Sequence, residues 1–135
     1  MNEPVWLKRA WVDALHFRQL QRFGGRFGVR DENAVESALA RARQQWAYAE
    51  HNDLASLAAA YGYGLTRNHG YIDGNKRVGF VAMAVFLDLN GWALHAPEPD
   101  VVRVMLAVAA GAMSEPELAA WLRSHMQPAD NLPSR

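Results

Sequence analysis

Asn75-Lys76-Arg77-Val78-Gly79-Phe80-Val81-Ala82-Met83-Ala84-Val85-Phe86-Leu87-Asp88-Leu89-Asn90 decides the fold. Its helical spacing leaves almost no polar side, and a helix that is apolar nearly all round is buried at the centre of its domain. The unbroken apolar run, Val78 to Leu87, is about half of the ~20 residues a bilayer span needs. It stops at Asp88, and Asn90-Gly91 is a ready C-terminal stop. The stretch therefore reads as a core helix.

Outward from it, the chain carries helical stripes. Val12, Leu15, Leu20 and Phe23 share one face of a first helix, which Gly24 and Gly25 end. Asn33 and Glu36 have capping-box spacing ahead of the stripe Val35, Ala38, Leu39, Ala42. Asp53 suits the cap of a third helix with Leu54, Leu57, Ala58, Tyr61 and Leu65 on its inner face. Beyond the central helix, Trp92 to His95 is a short stretch compatible with extended chain. Pro97 and Pro99 precede a stripe of Val101, Val102, Met105, Leu106 and Ala109, closed by Gly111. Ser114 and Glu117 form a capping box, with Pro116 in the first turn and Leu118, Trp121 and Leu122 facing inward. Long alternating runs, the mark of strands, are absent. The expectation is an all-α, single-domain bundle of about six helices around the central one, spanning residues 1–126, with residues 127–135 as a polar, flexible tail.

Composition narrows the function. The 135 residues, 50% hydrophobic and 21% charged, suit one soluble domain. Lys and Arg total 14, Asp and Glu total 14, so the net charge is zero. That argues against direct nucleic-acid binding and against an anionic membrane surface. The absence of cysteine removes disulfides, zinc–thiolate sites and thiol nucleophiles. Met-Asn-Glu-Pro at the start lacks the basic and apolar regions of a secretory signal, so a cytoplasmic location is expected.

The chemistry lies in Asn68-His69-Gly70-Tyr71-Ile72-Asp73-Gly74-Asn75-Lys76-Arg77. His69 is a base that titrates near neutral pH. Asp73 is a hard oxygen ligand suited to Mg²⁺. Gly74 permits a bend closed to other residues. Asn75, Lys76 and Arg77 open a helix whose free N–H groups and dipole favour an anion. Lys and Arg in a first turn oppose that dipole, which makes sense when a phosphate is the intended neighbour. A lone His is ordinarily structural and Asp-Gly is ordinarily a turn. The combination of base, metal ligand and anion cradle is what phosphoryl or nucleotidyl transfer requires.

This stretch resembles the signature of the Fic/Doc superfamily, His-x-Phe-x-Asp-(Gly/Ala)-Asn-(Gly/Lys)-Arg. Lys76 makes it more similar to the Doc (death-on-curing) branch of type II toxin–antitoxin pairs, because AMP-transferring Fic enzymes have Gly there. Leu15-His16 through Arg22-Phe23-Gly24-Gly25, Gly28-Val29-Arg30-Asp31, Glu36-Ser37-Ala38-Leu39-Ala40-Arg41, Leu89-Asn90-Gly91, Val108-Ala109-Ala110-Gly111 and Ala120-Trp121-Leu122 look like Doc-type toxins as well. The resemblance implies His69 as general base and Asp73 as the holder of Mg²⁺ on ATP. It implies an anion hole from the backbone of Gly74 and Asn75 with the Asn75 side chain, and Lys76 and Arg77 as phosphate contacts. It implies a kinase-like toxin that phosphorylates a threonine of elongation factor Tu and so stops translation. It also implies a cognate antitoxin whose disordered C-terminal segment folds onto the toxin. The alternatives are a Fic-like protein AMP transferase and a non-catalytic helical binding module. A metal-dependent nuclease would need an acidic cluster that the sequence lacks.

Two positions depart from the signature. Gly70 replaces a common Pro, and the expected effect is a less preorganised loop. Tyr71 replaces the anchoring Phe, so its hydroxyl requires a partner or a path to water. No Ser or Thr is followed four residues later by Glu, so inhibition in cis by the helix some Fic proteins carry is not expected. Gly24-Gly25-Arg26-Phe27-Gly28 reads as a helix-connecting loop rather than a phosphate cradle, because no strand precedes it. Arg30 and Asp31 read as a local pair or cap. His16, His51, His95 and His125 read as structural or exposed. The five tryptophans read as core or interface anchors, with Trp6 and Trp11 available for a partner.

Overall fold

A computed structural model describes residues 1–129. The elements in order are α1 (Arg9–Phe23), α2 (Glu32–Tyr48), α3 (Leu54–Asn68), α4 (Asn75–Leu89), β1 (Trp92–Leu94), α5 (Glu98–Ala109), α6 (Glu115–His125) and β2 (Met126–Pro128). The all-α expectation holds. None of these helices is long and apolar enough to cross a membrane.

Local chemistry starts three of the helices. The Asp53 carboxylate accepts from the Ser56 N–H at the head of α3. Ser114 and Glu117 close the expected capping box on α6. At α2 the cap is Asp31, which accepts from the Ala34 N–H, and not Asn33. Glu36, the partner the spacing assigned to Asn33, instead receives the Arg9 guanidinium from α1.

Helix α4 is buried along Val78, Gly79, Ala82, Met83, Phe86 and Leu87. It shares the centre with α3, which buries every residue from Leu57 to Gly62. The two helices approach closely because a Cβ on Gly79 would lie 2.4 Å from Thr66 Oγ1 and 3.1 Å from the Gly62 carbonyl. Trp6 stacks on Phe86 at 6.0 Å and Tyr61 accepts the Leu7 N–H, so the N-terminal segment is fastened to the core. Trp6 is thus a core residue, not a surface for a partner.

Three expectations shift. The buried face of α5 is Val104, Met105 and Val108, while Val102 and Leu106 are half exposed. Phe23, expected inward, is half exposed as well. The first residues of the expected tail are paired: Met126–Pro128 runs antiparallel to Trp92–Leu94, and the Ala129 N–H bonds the Gly91 carbonyl. Pairing satisfies backbone groups that a free tail would leave to water. The rest of that tail, residues 130–135, lies outside the described residues.

Candidate active site

The loop from α3 to α4 begins with His69, the C-cap of α3, in the left-handed conformation (φ 50°, ψ 46°). It is the one non-glycine residue with positive φ among the described residues. That conformation costs about 1–2 kcal/mol for a residue with a Cβ, so something must hold it. The Arg30 guanidinium donates to the His69 carbonyl from Nε (2.8 Å) and Nη2 (2.5 Å), and to the Asn68 carbonyl at 3.3 Å. The His69 side chain remains exposed.

Gly70 does not loosen the loop. Its carbonyl accepts the N–H groups of Arg30 (2.8 Å) and Asp31 (3.0 Å). A Cβ there would lie 2.4 Å from Val35 Cγ2 and 2.9 Å from the Val35 nitrogen, so the missing side chain lets the loop press against the start of α2. Tyr71 is buried and stacks on His16, with ring centroids 3.8 Å apart. Its hydroxyl finds the partner it needs, donating to Asp13 Oδ1 at 2.6 Å. Burial, and then the Asp13 carboxylate, push the phenol well above its usual range, so it stays a donor. Asp13 in turn takes the Arg9 Nε at 3.0 Å, and Arg9 reaches Glu32 and Glu36 on α2. Those carboxylates, Glu32 foremost, outweigh the opposing effect of burial and raise the Arg9 guanidinium further.

The Asn75 side chain is also tied into the loop. Oδ1 accepts the Tyr71 N–H and Nδ2 donates to the Tyr71 carbonyl, both at 3.0 Å. Each end of the buried amide has a partner, so the Asn75 side chain braces the loop, with one Nδ2 N–H left over.

Asp73 is held at two points. Its carbonyl lies 2.7 Å from His16 Nε2, and since a carbonyl only accepts, Nε2 carries the proton. Its carboxylate accepts the Arg26 N–H at 3.1 Å. Gly74 follows with φ 77° as the N-cap of α4, without a side-chain cap. Lys76 and Arg77 are exposed. Arg77 lies over the Phe23 ring (4.9 Å) and donates to the Gly24 carbonyl at 3.4 Å. Lys76 and Arg77 line a cleft of about 660 Å³ with Arg22, Phe23, Val102 and Leu106. His69 and Asp73 lie outside it, on the exposed loop.

Residues 26–31 run antiparallel along this loop. Arg26 bonds Asp73, Gly28 accepts from Ile72, Val29 bridges Tyr71, and Arg30 and Asp31 bond Gly70. The Gly24–Gly28 stretch is thus a splint for the motif. Among the described residues no three His, Asp or Glu side chains gather around a metal position. One exposed carboxylate fits Mg²⁺ that arrives on nucleotide phosphates, which supply most of its ligands.

The sequence singled out His69, Asp73, Gly74, Asn75, Lys76 and Arg77, and the structure gathers them at one loop and one helix end. It adds His16, Asp13, Arg26 and Arg30. A signal existed for His16: with Val12 and Leu20 it repeats every four residues on the buried face of α1.

A profile of the Fic/DOC family matches residues 6–87. The chain belongs to the Fic/DOC family. The match ends within α4 and so contains the whole loop and its splint. This Fic/DOC chain is similar to the Protein kinase doc of Escherichia phage P1, at 31% identity over 110 residues, covering 82% of this chain and 86% of that protein. It is similar to the Toxin Doc of Mycolicibacterium smegmatis at 39% identity over 75 residues, covering 55% of this chain and 58% of that one. Within the Fic/DOC family it stands with the Doc-type toxins.

Proposed function

We propose that this Doc-type chain transfers the γ-phosphate of ATP to a threonine hydroxyl of a translation factor such as elongation factor Tu, and thereby stops translation. The observation that carries the reading is the α4 amino end, uncapped by any side chain and flanked by exposed Lys76 and Arg77, following an exposed loop that bears His69 and Asp73. The likeness to a protein named as a kinase supports it.

His69 takes the proton as the acceptor oxygen attacks the γ-phosphorus, and the bond to the β-phosphate oxygen breaks to release ADP. The N–H groups of the first turn of α4, with Lys76 and Arg77, stabilise charge on the phosphate oxygens. Asp73 would hold Mg²⁺, which neutralises phosphate charge when bound. The Tyr71–Asn75 brace and the His16 contact keep these groups fixed, as positioning demands.

The partner is a cognate antitoxin with a disordered C-terminal segment. The cleft suits an acidic, apolar segment, since half-exposed Phe23, Val102 and Leu106 meet the cations Arg22, Lys76 and Arg77. A target in translation implies work in the cytoplasm.

The test is incubation of the chain with γ-labelled ATP, Mg²⁺ and bacterial lysate, then mass spectrometry of any labelled protein. A gain of one phosphate is expected. A gain of AMP identifies an AMP transferase instead. No modification together with no nucleotide binding leaves a non-catalytic module.

A further inference from the structure

We propose that Arg30 is a positioning residue for His69: its guanidinium locks the strained backbone from which the imidazole projects. The inference rests on the reading of His69 as the base.

A residue with a Cβ relaxes from φ 50° to negative φ unless its surroundings forbid it. For His69, relaxation either continues α3 or sends the chain into extended form. Both redirect the imidazole. The direction of the His69 carbonyl is set by ψ at His69, and that oxygen receives two of the Arg30 donors. The next carbonyl, Gly70, receives the peptide N–H groups of Arg30 and Asp31. Both peptide planes after the imidazole are therefore pinned by one two-residue segment. That segment is itself anchored, because Asp31 caps α2.

Arginine suits this task. Its planar fork places Nε and Nη2 on one oxygen, and Nη2 also reaches Asn68. Its charge lies at the carbonyl end of α3, where the helix dipole favours a cation. No carboxylate is paired with Arg30 among the described residues, so nothing draws the guanidinium away. Lysine offers its donors from a single charged nitrogen and glutamine from a single uncharged one, so neither reproduces the fork. Arg30 is also absent from the cleft that carries Lys76 and Arg77. Its loss should disturb turnover and leave nucleotide affinity nearly intact.

The experiment compares Arg30→Gln and Arg30→Lys with the unaltered chain, after thermal melts establish that each folds. Misplacing a catalytic group by about 1 Å can cost on the order of a hundredfold. Arg30→Gln should therefore lower kcat by about ten- to a hundredfold with KM for ATP within about twofold, and Arg30→Lys should recover part of the loss. A second readout needs no turnover. A strong intraresidue HN–Hα nuclear Overhauser effect marks positive φ at His69, and it should weaken in Arg30→Gln. An unchanged kcat, an equal loss in kcat and nucleotide binding, or an unchanged Overhauser effect would overturn the inference. If the unaltered chain transfers no phosphate, the proposed function fails while the Overhauser comparison still decides the role of Arg30.

Discussion

Helices α4 and α6 begin in opposite ways. At α6, Ser114 and Glu117 exchange hydrogen bonds with each other's backbone, and Glu115 adds an acid to the first turn. At α4, Gly74 provides no side-chain cap and the first turn holds Lys76 and Arg77 but no acid. A missing cap costs about 1 kcal/mol, and each ill-placed cation costs about 0.3–1 kcal/mol. Helix α4 tolerates this because its next turns are sealed into the core at Val78, Ala82 and Phe86, whereas α6 buries fewer residues and relies more on local bonds. The contrast teaches that one start serves stability, while the other keeps its N–H groups free of side-chain caps, as the proposed phosphate site requires.

The severest way to break this comparison is to remove the base beside the open start. His69→Ala should lower phosphate transfer by about 10²- to 10⁴-fold with the melting temperature nearly unchanged, since the exposed imidazole is not part of the core. A fully active His69→Ala variant would sink the mechanism. Next, Arg77→Ala should weaken ATP binding by about ten- to a hundredfold, the worth of a charge-assisted phosphate contact. Calorimetric titration reads it, and unchanged affinity would show that the α4 start is not the phosphate site.

The opposite substitution belongs to α6. Ser114→Ala should cost about 1 kcal/mol in denaturant unfolding and leave nucleotide affinity alone. Lys76→Glu sharpens the contrast most directly. Restoring an acid to the first turn should stabilise the fold by about 0.3–1 kcal/mol while weakening ATP binding. Loss of stability in that variant would mean that Lys76 has a structural role.

The smallest effect is a pH dependence at the capped start of α3. Partial burial raises the Asp53 carboxyl, but hydrogen bonds from Arg123 and Ser56 outweigh it and hold it at about 2, below its ordinary 3.8. The folded state therefore binds this proton less readily than the unfolded chain does. Its stabilisation is complete above about pH 4 and fades as pH falls towards 2. The side chain is half exposed, so solvent screening keeps the contribution small. Asp53→Asn should flatten the melting temperature over that window.

Much of the fold was legible because helical stripes and caps are local. Asp53 and Ser114 lie three residues from the N–H groups they bond. Asp31 reads as a pair or cap in the sequence, but the start of α2 goes to Asn33 there, because Asn33 and Glu36 show a competing pattern and only Arg9, distant in the chain, draws Glu36 away. The α5 stripe was misjudged by about one position because Val102 and Leu106 are as apolar as their buried neighbours and line the open cleft instead. The motif was legible because its chemistry is contiguous. Its supports were not: nothing in the spacing of Arg26, Gly28 and Arg30 announces a loop that pairs with residues more than forty positions later in part.

The sequence by itself determined an all-helical chain and a base, an acid and two cations around one helix start, because periodicity and short-range chemistry act between near neighbours. Only the tertiary structure decided that Asn75 braces the loop, that Tyr71 rests on His16 and Asp13, and that Arg30 grips His69. Those contacts join segments whose approach is set by how whole helices pack, and no local pattern encodes that distance.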